Sequence, residues 1–263
     1  MHATQGHLQP ARAVRLSLVW LMALSAFVGT FAKSTGAAPV SQVVTGVGFT
    51  PKALILWTAG GVTTDVFLTS HRLSHGITSG AAESRAISSI GVDAANPSVT
   101  SRRLAAKAVT FVDGGEVIAA ECDLTSFDAD GFTLNWTTNN AAATLIHYLA
   151  LGGADLTSAK VVQWTMPLVI GNKAVTGVGF QPDFVLHLMV PNTVSPASLA
   201  TMSSMIGMMT SAAQGVCTGR DDNAVATTLT ARGQLTNACI ATLTSSTAFN
   251  RRASFVSMDA DGF

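Results

Sequence analysis

Two acidic residues spaced two apart, Asp128 and Asp130 in SFDADGF, form a pattern that can meet a hard cation, because alternate carboxylates on a turn converge on one ion. A calcium loop also needs further oxygen ligands and a closing Glu, and the following FTLNWTTN supplies neither. The expectation is a strand-entry turn, in which Asp accepts local backbone N–H bonds and Gly takes a positive φ. His71 and His75, with Asp65 and Ser74 nearby, are the second chemically capable set. On a helix two His four apart can hold a metal, and in a loop one can activate a nucleophile. Neither HExxH nor GxSxG occurs in the chain, so no catalytic or metal role is assigned to them.

The remaining candidates read as structural. His147 and His187 lie inside apolar runs, as tolerated polar or edge positions. GVG at Gly46–Gly48 precedes a strand, whereas a dinucleotide site needs its glycines to open a helix, so no cofactor is expected. Cys122, Cys217 and Cys239 lack metal spacing and disulfide density, and are expected to be buried small hydrophobes. Arg102–Arg103 and Arg251–Arg252 have no interleaved aromatics and read as solvated strand faces, not a nucleic-acid surface.

These residues must be positioned by elements the rest of the sequence specifies. The chain has 263 residues, 15 basic and 15 acidic, so charge balance points to neither nucleic acid nor an acidic membrane surface. Only 11% of residues are charged while 48% are apolar, a composition that hides surface in an assembly.

Self-similarity is the dominant feature. TGVGFTPKALILW at 45–57 returns as TGVGFQPDFVLHL at 176–188, and SFDADGF from Ser126 returns as SMDADGF from Ser257, both at an offset of 131. HGITSGAA from His75 faces IGMMTSAA from Ile206 at the same offset, so His75 has no counterpart His. VGTFAK from Val28 stands where the later half has VVQWTM from Val161. A period this long implies two units, each with its own core. FTLNWT alternates apolar and polar residues, a half-buried strand, while ALILW and LIHYLAL are continuous apolar runs suited to strands buried on both faces. Only Ala81–Ser89 and Ser101–Val109 have any helical look. The fold expected is all-β: a tandem repeat of two antiparallel β-sandwiches of lectin-like or jelly-roll-like kind, the second truncated. The domains are a leader at residues 1–27, repeat 1 at 28–157 and repeat 2 at 158–263.

The order TGVGFTPKALILW, SFDADGFTLNW, HYLALGG resembles repeat modules of bacteriophage tail and virion structural proteins. GFQPDFVLHL of the second unit keeps the Pro and Asp of such modules, while GFTPKALILW of the first departs in carrying Lys52 where Asp183 stands. The resemblance implies a non-enzymatic virion component that contacts copies of itself, other virion proteins or a host-surface glycan. The alternative is a secreted carbohydrate-binding module in which Trp57, Trp136 and Tyr148 stack on sugar. No membrane partner is expected.

Both ends of the chain raise expectations. Arg12 and Arg15 before the uncharged run 16–32 resemble a secretory signal, with Thr30 and Ala32 as the small pair, while a start at Met22 would remove nearly all of it. MDADGF, Met258–Phe263, stops where the first unit runs on, so the chain is expected to be a fragment whose parent continues for roughly 20 residues reading like TLNW and YLAL. Asp128 and Asp130 alone are too few ligands for tight calcium binding. Millimolar calcium is therefore expected to leave the thermal midpoint unchanged; a rise of several degrees, reversed by chelator, overturns the turn reading.

Overall fold

The computed structural model describes residues 23–62, 65–192, 194–244 and 248–263. Arg12, Arg15, the start at Met22 and the first part of the uncharged run lie outside the described residues, while Thr30 and Ala32 lie in a strand. Every described regular element is a β-strand, and every pairing is antiparallel.

The first half contains ten strands: β1 (Leu24–Ala32), β2 (Val40–Thr45), β3 (Pro51–Thr58), β4 (His71–Gly80), β5 (Glu83–Gly91), β6 (Thr100–Ala105), β7 (Val109–Val112), β8 (Ile118–Asp128), β9 (Gly131–Thr138) and β10 (Leu145–Gly153). They form two sheets, β1-β10-β3-β4-β5-β6 and β2-β9-β8-β7, stacked on one core. Period-two side-chain alternation decides which residues enter that core. Phe132, Leu134 and Trp136 of β9 are fully buried, and so are Ile146, Tyr148 and Ala150 of β10. The alternate residues of β3 and β10 are only half-buried, unlike the two-sided burial expected of continuous apolar runs. The two segments that looked helical are strands β5 and β6, where pairing with neighbours outweighs local propensity.

The second half contains β11 (Val185–Met189), β12 (Ala197–Ala200), β13 (Met202–Met209), β14 (Gln214–Asp221), β15 (Thr230–Leu235), β16 (Ile240–Thr244) and β17 (Ala248–Ala253). The sheet β11-β13-β14-β15 packs on the β16-β17 hairpin around Met205, Val216, Cys239 and Ile240. Local geometry recurs at the sequence offset. Asp130 accepts backbone N–H bonds from Gly46 and Gly48 at 3.0 and 2.5 Å, and Asp261 accepts them from Gly177 and Gly179 at 2.9 and 2.6 Å. Gly76 lies opposite Leu56, and Gly207 opposite His187. A Cβ at either glycine would sit 1.8 Å from a carbonyl oxygen, that of Ala108 or of Cys239, so both sites admit only glycine.

The halves are joined through β6. Strand β12 extends the first sheet by pairing with β6, Leu104 opposite Ala197. Arg102 donates to the carbonyls of Ala200 and Thr201 at 2.6 Å each and to Asn192 Oδ1 at 3.0 Å. Arg103, on the opposite face, is 5% exposed and ion-paired to equally buried Glu121 at 2.6 Å, with further bonds to Thr110 and Ser198. Reading this arginine pair as a solvated face is thereby corrected: alternation along one strand sends one guanidinium into the sandwich and the other to the second half. Arg251 and Arg252 are exposed. Cys122 and Cys239 are buried as expected, but Cys217 is exposed on β14.

Removing one member of a buried pair leaves the other charge desolvated and unpaired. Glu121→Gln is expected to cost about 3–5 kcal/mol in urea unfolding, and Arg103→Met with Glu121→Leu to recover most of that loss. A single substitution costing under about 1 kcal/mol, the range of an exposed pair, contradicts this assignment.

Candidate functional site

The acidic turn is not closed by local backbone amides as expected: Asp130 takes its N–H bonds from the GVG turn, 82 and 84 residues away. Besides the Asp130 bonds to Gly46 and Gly48, Asp128 accepts from Ser126 Oγ and Thr133 Oγ1 at 2.7 Å each. Those amides hold the Asp130 carboxyl below its ordinary range, and the Gly177 and Gly179 amides do the same for Asp261. Both carboxylates staple the entry to β9, or its counterpart, against the GVG turn.

The histidine pair does not converge. His71 and His75 lie on β4, so four residues separate them by about 13 Å along the strand. Ser74 points to the other face, where its hydroxyl donates to the Thr110 carbonyl at 2.7 Å. Burial pushes both imidazole pKa values down, with nearby Asp221 partly offsetting this at His71. His75 does join a row across the outer sheet face: His147 pairs with Trp57 and Trp57 with His75, and the Trp57 and His147 rings stack 5.8 Å apart. Of the three aromatics a sugar site would use, Trp136 and Tyr148 are buried, and the Trp136 indole donates to Gln42 at 2.8 Å. Trp57 alone keeps partial exposure.

A concave feature lies beside β11. Two clefts, of about 260 and 360 Å³, share Ile77, Val162, Trp164, Leu186 and His187 and so run together along this strand. One wall is β11, which pairs with β13 on one edge and with no strand on the other among the described residues. The opposite wall is the segment Val161–Met166, which forms no strand ladder. Its approach is fixed to the first half: Lys160 pairs with Glu83, the Val161 N–H donates to Ser79 Oγ at 2.9 Å, and Arg85 donates to Gln163 at 2.9 Å.

His187 sits at the centre of this groove, 7% exposed, with its Nε2 buried and unpartnered among the described residues. Its ring meets those of Trp164 and Phe263 edge to face, at 6.0 and 5.6 Å. Burial pushes its pKa down to about 4, so the imidazole is neutral at neutral pH. The sequence places His187 in a strand, at the position that Leu56 has in the first unit, as a tolerated polar or edge residue, and does not show its core position. A polar ring where the repeat carries Leu was the available signal. Trp164 and the groove depend on two segments meeting in space and left no local signal.

No protein-family profile, curated protein or solved structure matches the chain. The chemistry of the site therefore rests on its own geometry. The groove offers apolar walls, an open strand edge and one neutral imidazole; among the described residues no three His, Cys, Asp or Glu side chains cluster as metal ligands.

The unfolded chain takes up a proton on His187 below its ordinary pKa of 6.5, whereas the folded chain resists protonation until about pH 4. Stability is therefore full above pH 6.5 and falls by at most about 3 kcal/mol on descending to pH 4. His71 and His75 act in the same direction, so the diagnostic quantity is the difference from His187→Leu. That variant is expected to unfold with a shallower pH dependence in this window, and identical slopes would refute the burial-driven shift.

Proposed function

We propose that this chain is a non-enzymatic structural or adhesive protein that acts by associating with copies of itself or with other proteins of a larger particle, of the phage tail or virion kind. The observation that carries this reading is apolar surface displayed on loops. Leu168 and Ile170 are 99% and 107% exposed, Val169 lies between them, and Phe67 is 106% exposed between Val66 and Leu68. Such runs mark contact surfaces. Edges unpaired among the described residues add to them: β1 reads LSAFVGTFA and β11 VLHLM, without the Lys or Pro that blunt edge strands.

A carbohydrate-binding role is the weaker reading, because only Trp57 of its three aromatics retains surface and that ring is already stacked on His147. Light scattering after size exclusion separates the two. The chain is expected to self-associate with rising concentration, and Phe67→Glu combined with Leu168→Glu and Ile170→Glu to shift it towards monomer. A protein monomeric at all concentrations that binds a defined glycan on an array overturns the proposal.

A further inference from the structure

Two surfaces of the chain correspond, residue by residue, to the two sides of the joint between its halves. In that joint β12 lies on β6, with Ser198 opposite Arg103 and Leu199 opposite Arg102. Residues 197–200 lead into Thr201, whose φ is 68°, and residues 66–69 lead into Ser70, 131 positions earlier, whose φ is 67°. The Ser70 hydroxyl accepts the Asp93 N–H at 3.0 Å and the Thr201 hydroxyl the Asn223 N–H at 3.4 Å, so the two faces are built alike. Residues 66–69 are therefore the first half's counterpart of β12. They form no strand, and Val66, Phe67 and Leu68 are 52%, 106% and 54% exposed.

The other surface is the outer edge of β15. Ala86 lies opposite Gly76 and Val216 opposite Gly207, so the bulge between Thr78 and Gly80 has no counterpart and the offset falls to 130 from β5 onward. Positive φ at Ala94 and Ala224, 56° and 59°, follows this offset. Thr228, Thr230 and Arg232 thus stand where Ser98, Thr100 and Arg102 stand beside β12. In the joint those three residues hold Asp222, Asn223 and the carbonyls of Ala200 and Thr201. Their counterparts are exposed, and the outer edge of β15 pairs with no strand among the described residues.

We propose that residues 66–69 of one copy add to β15 of a second copy, antiparallel and in the register of β12 on β6, so that chains join head to tail. Phe67 then lies opposite Gly233, and Leu68 opposite Arg232. This deepens the self-association proposed above and rests on that reading. Backbone bonds along the edge supply affinity, and the alternate side chains supply selectivity.

Those side chains have changed as a matched set. Inside the chain, Arg103 fills the inner side of β6 beside Glu121 and bonds to the small Ser198 at 3.1 Å. On β15, Gly233 replaces Arg103, and a Cβ there would stand 2.8 Å from the Phe249 ring and 3.6 Å from Leu243. The residue brought to this apolar floor is Phe67, where β12 has Ser198. A large polar side chain facing a hydroxyl thus gives way to a bare glycine facing a phenyl ring, with Phe249 beside it as an aromatic partner. Asp93 brings an acceptor to Thr230, as Asn223 does to Thr100. The occupant is a second copy because the face that fits β15 lies within this chain's own first half and stands exposed. The two patches differ, so the contact extends from copy to copy instead of closing as a symmetric dimer.

Blocking one surface at a time tests this on the full chain, by light scattering and sedimentation velocity. Phe67→Glu disables the head and Arg232→Glu the edge that receives it; both residues are exposed, so both variants are expected to fold. Each alone is expected to weaken self-association at least about tenfold, as loss of a central anchor does. Mixed, they are expected to form a one-to-one dimer and nothing longer, because one intact head and one intact edge remain. Leu68→Cys mixed with Arg232→Cys, both carrying Cys217→Ser, is expected to give a disulfide-linked dimer under mild oxidation, since directly opposed strand residues lie within disulfide reach. Thr228→Cys in place of Arg232→Cys is expected to give none. A chain monomeric at all concentrations overturns this inference together with the proposed self-association. Self-association that survives both single variants, a mixture of them that fails to dimerise, or equal trapping at Thr228 overturns the head-to-tail joint alone and leaves association through Leu168 and Ile170.

Discussion

A β-sheet has two kinds of surface that water or protein must satisfy: apolar faces that need cover and backbone edges that need hydrogen-bond partners. Nearly everything distinctive about this chain follows from how unevenly those demands are met. The first half meets the face demand by stacking its sheets on Phe132, Leu134, Trp136 and Tyr148. On the β6 side it meets the edge demand by borrowing β12 from the second half. The second half covers its inner face with a two-stranded hairpin and leaves the outer edge of β11 unpaired among the described residues. Beside that edge the rings of Trp164, His187 and Phe263 pack on one another edge to face.

Strand β6 carries the connection between the halves. Because successive residues on a strand face opposite ways, adjacent Arg102 and Arg103 serve two interfaces. Arg103 enters the sandwich, where Glu121 and Thr110 satisfy its guanidinium. Arg102 leaves the sheet and collects carbonyl groups of the second half. Ser98 and Thr100 extend the junction through bonds to Asp222 and Asn223. A chain of low charge has invested several of its few ionic groups at one seam, where hydrogen-bond geometry fixes orientation more strictly than apolar contact does.

The all-β character was legible because its signals are local: alternation in FTLNWT, turns marked by Gly and Asp, and blocks repeated at one offset. Asp130 was legible as an acceptor of backbone N–H bonds, but its partners were not: they are Gly46 and Gly48, 84 and 82 residues away, not the local amides expected of a turn. What was not legible depends on which distant segments meet. Arg103 looked like a surface cation because its partner Glu121 lies two strands on, and nothing in its neighbours marks a buried acid. Cys217 looked like its buried fellows, yet its place in the alternation of β14 turns it outward. The half-buried outer residues of β3 and β10 read as doubly buried because a continuous apolar run carries no record of what covers its second face.

The two halves keep some positions and change others. Positions that build the turns and the close backbone approaches are the same in both: Gly46 and Gly177, Gly48 and Gly179, Gly76 and Gly207, Asp130 and Asp261. Positions that touch β10 have changed together. Gly29 beneath the Tyr148 ring corresponds to Val162, and Leu56 opposite it to His187. Lys52, whose ammonium holds the carbonyls of Gly153 and Leu156 at the end of β10, corresponds to Asp183. A β10-like strand laid beside β11 would therefore meet less room, an imidazole and a carboxylate in place of room, an alkyl group and an ammonium. His187 is held against the rings of Trp164 and Phe263, and Asp183 brings the opposite charge to the place Lys52 fills. The groove has its own steric and electrostatic character, distinct from that of the β10 site it resembles in outline.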